Sequence, residues 1–144
     1  GAWLGVSCEN QEQADARIPH LLATPAAVRW VSAEPLLEQV DFTRIADDEL
    51  GVGYDSLRGG MHGSATNDAG GPRLSWIVAG GESGPKARPF DLAWARRIIA
   101  DCKDARVRVF FKQGGASNRC AHSPKGGCLE CLSPDLRVRE FPDA

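Results

Sequence analysis

Four short apolar runs, each halted by a charged residue at an abrupt turn, constrain this chain more than any other feature. The run Leu74 to Ala79 stops at Gly80 and Gly81 and delivers Glu82, Ser83 and Gly84. Trp3 to Asn10 ends in Cys-Glu-Asn, Val28 to Pro35 in Ala-Glu-Pro, and Val107 to Gln113 in Lys-Gln. The runs contain Ile, Val and Trp and lack helical spacing, which predicts strands buried on both faces. Between the first two, Asn10 stands three residues before Gln13 as a helix cap, and Ala14, Ile18, Leu21 and Leu22 fall on one helical face. Pro19 predicts a kink there, or a split into two short helices. Ahead of the last run, Asp91 caps a helix with Leu92, Ala95, Ile98, Ile99 and Cys102 on one face and Arg96, Arg97 and Lys103 on the other. Strand, helix, strand, loop, strand, helix, strand predicts an α/β domain of parallel β-α repeats over residues 1–116, with right-handed crossovers. Because Gly1-Ala2-Trp3 opens directly into a strand, the chain is expected to belong to something larger or to complete its sheet with a partner, a second copy included.

From 41 to 73 the periodicity dissolves. Seven glycines, among them Gly51, Gly59 and Gly71, punctuate a polar stretch that holds at most a hairpin around Tyr54 to Leu57. Such a stretch reads as a functional loop or as a surface insertion, with His62 a bystander. The 144 residues suffice for one domain, and a net charge of -2 gives no general attraction to nucleic acids or membranes. No apolar run approaches the roughly 18 residues of a membrane span, so a cytoplasmic protein is expected.

In parallel α/β folds, ligands bind outside the carboxyl ends of the strands. Here those ends carry Glu9 and Asn10, Glu34, Glu82 and Ser83, and Lys112 and Gln113. If the strands are neighbours, Glu9, Glu34, Glu82 and Lys112 become candidate catalytic groups at one mouth, and Asn10, Gly80, Gly81, Ser83 and Gln113 candidate ligand-binding positions. The plainer alternative is that the glutamates cap turns and Lys112 neutralises them. A phosphate-loop reading of Gly80 to Gly84 is weak, because no Lys-Ser/Thr pair follows and the next helix waits until Asp91.

The tail, 117–144, concentrates soft ligands. Cys120 and His122, then Cys128 and Cys131, supply the three thiolates and one imidazole that a structural zinc site needs, with Ser123 to Gly127 as the connection. A Cys128–Cys131 disulfide or free thiols are the alternatives. The metal would fasten a tail too poor in apolar residues to pack well alone. Cys8 and Cys102 read as small buried apolar groups. Arg119, Lys125, Arg137 and Arg139 could form a small basic face for nucleic acid, although Glu130, Asp135 and Glu140 are interleaved with them.

The runs Trp-Leu-Gly-Val-Ser-Cys-Glu-Asn, Val-Ser-Ala-Glu-Pro-Leu-Leu, Gly-Gly-Glu-Ser-Gly-Pro and Phe-Phe-Lys-Gln resemble the C-terminal half of a bacteriophage-encoded family of unknown function, similar to radical S-adenosylmethionine enzymes of the spore-photoproduct-lyase kind. The resemblance implies half of a β/α (TIM-like) barrel with a small metal-stapled extension, and Glu9, Asn10, Glu34, Glu82, Ser83, Lys112 and Gln113 as mouth residues. It also implies a partner N-terminal half, whose three-cysteine motif would bind a [4Fe-4S] cluster and S-adenosylmethionine. Cys8 and Cys102 are isolated and no three cysteines here show that spacing, so this chain is not expected to be catalytically complete alone. The competing expectation is a non-catalytic phage or mobile-element accessory protein with structural zinc. Relatives commonly carry an aromatic residue after Lys-Gln, where this chain has Gly114.

Overall fold

A computed structural model describes residues 1–46, 51–63 and 69–143, so two pieces of the expected 41–73 loop, 47–50 and 64–68, lie outside the described residues. In chain order the elements are β1 (Trp3–Ser7), α1 (Gln11–Ala23), β2 (Val28–Ala33), β3 (Tyr54–Asp55), β4 (Gly60–Met61), β5 (Trp76–Gly80), α2 (Leu92–Ala105) and β6 (Arg108–Gln113). Two 3-10 turns follow, at Ala116–Asn118 and Pro134–Leu136. Strands β1, β2, β5 and β6 form one parallel sheet in sequence order.

Both helix caps are made as the side chains dictate. Asn10 Oδ1 accepts the Gln13 N–H at 2.9 Å and Asp91 Oδ1 the Ala93 N–H at 2.8 Å, each satisfying an otherwise unpaired donor for about 1 kcal/mol. Helix α1 is one continuous helix of 13 residues, not two short ones. Pro19 lies on its exposed side, where water can serve the carbonyl that the missing N–H leaves unpaired.

Sheet register places Val31, Ile77 and Val109 in one row and Ala33, Ala79 and Phe111 in the next. These side chains join Ala14, Ile18, Leu21 and Leu22 of α1 and Ala95, Ile98, Cys102 and Ala105 of α2 in a single buried cluster, so both helices cover the same face. The expectation of strands buried on both faces is therefore half right. The opposite face, carrying Trp3, Gly5 and Ser7 of β1, Trp30 and Ser32 of β2, Trp76 and Val78 of β5 and Phe110 of β6, is only partly covered. Its carpet is aromatic: the Trp76 ring lies 5.6 Å from Trp30 and 5.4 Å from Phe141. Gly5 makes room for this, since a Cβ there would sit 2.3 Å from the Trp30 indole. The outer edge of β6 is sealed by the segment around Arg139, with Phe111 N–H bonded to Val138 O at 2.8 Å and Glu140 N–H to Val109 O at 3.0 Å. Among the described residues, β1 pairs only with β2.

Two regions depart from expectation. The stretch after β2 is more than a surface insertion, because Phe42, Ile45 and Leu57 are fully buried and help to cover the sheet between the two helices. Its hairpin is real but minimal, the two residues of β3 pairing antiparallel with the two of β4. The tail likewise packs on its own account, with Leu136 completely buried and Leu132 nearly so. No described helix is long and apolar enough to cross a membrane.

Candidate metal centre and strand-end row

The tail folds back on itself through short local bonds. Cys120 and Ser123 exchange backbone hydrogen bonds at 3.1 and 3.3 Å, and the Cys131 and Leu132 N–H groups both donate to Cys128 O. The consequence is convergence: the ligand atoms of Cys120, His122, Cys128 and Cys131 all lie within 4.8 Å of one another. His122 Nδ1 is 3.3 Å from Cys131 Sγ and 3.9 Å from Cys128 Sγ. Tetrahedral zinc with Zn–S bonds of about 2.3 Å needs sulfurs about 3.8 Å apart, so this set fits such an ion with little adjustment. All four positions would be filled by protein, which leaves no site for a reactive water. All five cysteines are free thiols, and the Cys128–Cys131 disulfide is not formed. Backbone N–H groups, Cys131's first, hold the Cys128 thiol below its ordinary range, whereas hydrogen bonds to the Cys120 and Cys128 sulfurs push the Cys131 thiol up to about 11. In the core, burial pushes Cys8 up to about 12 and Cys102 still further, so both remain protonated and are poor ligands.

The cluster is fixed to the end of β6. Gly114 N–H donates to Gly126 O at 3.0 Å, and Arg139 Nη2 bridges Lys112 O and Gly127 O at 3.2 and 2.9 Å. Gly126 has φ 67°, and a Cβ there would lie 2.6 Å from Asn118 O. Gly114 faces Asn118 so closely that a Cβ would sit 2.7 Å from that side chain.

The strand-end residues gather at the same end of the sheet, each carboxylate with its own cation. Glu34 accepts from Lys112 Nζ through both oxygens at 3.1 and 3.2 Å, reaching across β5 above Gly80. Glu82 takes three bonds from Arg88, at 2.8 Å from its backbone N–H and 2.9 Å from both Nε and Nη2. Chiefly through those guanidinium bonds, its pKa falls to about 2. Glu9 pairs with Arg17 at 3.2 Å and also adds to the field at Arg88, so the three pairs share one rim. The remaining candidates are occupied locally. Asn10 caps α1, and Gln113 clamps Gly81 by side chain and backbone at 3.0 and 2.9 Å. A Cβ on Gly81 would meet Gly114 O at 2.7 Å, while Ser83 stands exposed.

Sequence reasoning missed Arg17 and Arg88. The only local sign of Arg88 was the turn at Gly84, φ 102°, which folds the chain back so that residue 88 meets residue 82. Comparison with curated proteins and with solved structures returns no match. Residues 1–132 do match the profile described as "Protein of unknown function (DUF5131)", and the chain belongs to that family.

Proposed function

We propose that this chain is one half of a β/α barrel whose strand-end row forms a mouth for a nucleotide or S-adenosylmethionine-like ligand, braced by a zinc-stapled tail. The observation that carries this reading is the Glu34–Lys112 pair, spanning β5 on the open side of a parallel sheet whose strands run in sequence order. Sequential order with both helices on one face is how a β/α barrel begins, and the aromatic face would then be its interior. The edge of β1, which pairs with β2 alone among the described residues, would take the next strand from a partner half or a second copy. The resemblance to phage-type, radical-SAM-like proteins supplies both the ligand class and the partner, whose three cysteines would hold the [4Fe-4S] cluster and S-adenosylmethionine. On this reading Glu34 and Lys112 orient a ligand bearing both acceptors and donors, and the chain is not a complete catalyst alone.

The test is a thermal-shift screen of the zinc-loaded protein against nucleotides and S-adenosylmethionine. A rise in Tm that Lys112→Met abolishes is expected. Silence across the screen sinks the reading and favours a non-catalytic phage or mobile-element accessory protein acting through protein or nucleic-acid contacts. That alternative draws on the closed ligand set of the tail and on Arg119 and Lys125 beside it.

A further inference from the structure

At the opposite end of the strands from the mouth lies a cleft of about 700 Å³. It runs across the starts of β2, β5 and β6, with the last turn of α2 on one side and the segment Glu140 to Asp143 on the other. Lys103, Arg106 and Arg108 bring three positive charges to it, beside the carboxylates of Glu140 and Asp143, in a chain whose net charge is -2. Glu140 is partly engaged, its Oε2 accepting the Val109 N–H at 3.1 Å. Asp143 meets Arg108 only at 3.4 Å and is almost wholly exposed.

The way α2 ends gives the second observation. Arg106 N–H donates to Cys102 O and Lys103 O, and Val107 N–H to Cys102 O at 2.8 Å, so the final carbonyls are capped by backbone. This ending requires a left-handed residue, and Arg106 supplies it with φ 58°, the one non-glycine residue with positive φ among those described. Glycine is the usual occupant of that position because a Cβ is strained there. A strained arginine at the lip of a cationic cleft gives up stability that glycine would provide, and such departures cluster where a side chain is needed. Offsetting the helix dipole does not require the strain, since Lys103 already stands in the last turn.

We propose that this cleft is an anion site that takes a phosphate group, gripped by the Arg106 and Arg108 guanidiniums with Lys103 at its rim. Arginine forks match phosphate oxygens in pairs, and the open, elongated shape admits either a small phosphorylated molecule or a strand of nucleic-acid backbone. The site is independent of the strand-end mouth, and neither proposal needs the other.

Isothermal titration at low salt with inorganic phosphate, pyrophosphate and a short single-stranded oligonucleotide separates the sources. Binding of pyrophosphate identifies a small phosphorylated ligand; binding of the oligonucleotide alone assigns the phosphates to nucleic acid. The decisive variant is Arg106→Gly, which should raise Tm by relieving the left-handed strain while weakening whichever ligand binds by about tenfold. Lys103→Ala, at an exposed position, should weaken binding less and leave Tm near its original value. The proposal is overturned if neither pyrophosphate nor oligonucleotide binds, if Arg106→Gly binds as tightly as the parent, or if Arg106→Gly lowers Tm.

Discussion

Two polar clusters abut the end of β6 and are built on opposite principles. In the tail, Cys120, His122, Cys128 and Cys131 aim four ligand atoms at one point, with no counter-charge among them. Along the strand ends, Glu9, Glu34 and Glu82 each turn to a separate cation, Arg17, Lys112 and Arg88. Convergence builds a donor set suited in size and chemistry to a soft cation, whereas pairwise neutralisation leaves a rim with little net charge. Lys112 touches both designs, its ammonium paired with Glu34 and its carbonyl held by Arg139 beside the tail.

The comparison breaks most visibly at the tail. Cys128→Ser combined with Cys131→Ser should reduce bound zinc, measured on untagged protein, from about one equivalent to below about a tenth, forfeiting binding on the order of 10 kcal/mol. Retention of zinc would mean that the metal lies elsewhere. Next in size is Leu136→Ala, which should destabilise zinc-loaded protein by about 2–5 kcal/mol in urea, because the side chain is completely buried. A change below about 1 kcal/mol would show the tail hanging on metal alone. Smallest is the acid response of the rim. Glu82 is depressed from 4.5 to about 2, so its pairing contributes fully above pH 4.5 and is lost as pH falls from there toward 2. Glu82→Gln should flatten the stability slope in that window. Identical slopes for parent and variant would show that the Arg88 pair adds nothing in solution.

What sequence could show was local. The caps at Asn10 and Asp91, the faces of both helices and the four parallel strands follow from spacing within a dozen residues, and the metal ligands from the crowding of cysteines. The burial of Phe42, Ile45 and Leu57 was hidden because they sit among glycines and polar residues with no period to betray a shared face. Leu136 was hidden for a related reason, since a leucine in a largely polar tail looks like surface until Arg96 binds Asp135 and Ser133 and draws the segment onto α2. Of the counter-ions, Lys112 is legible at its strand end, whereas Arg17 and Arg88 pair with glutamates eight and six residues away across turns, a separation that no regular period marks. The strands were read as doubly buried because Trp30, Trp76 and Phe110 are equally apt for a core and for a half-open aromatic face.

The sealed margin at β6 and the open one at β1 also govern how copies of this chain can stick together. Head-to-tail stacking of β1 onto β6, the route by which sheets lengthen into fibrils, is blocked by the Val138–Glu140 segment. Among the described residues that leaves β1 against β1, a contact that would use both remaining sheet edges at once. Were two copies to meet edge to edge through β1, the pair would therefore close at two, with no strand edge of this sheet left over among the described residues.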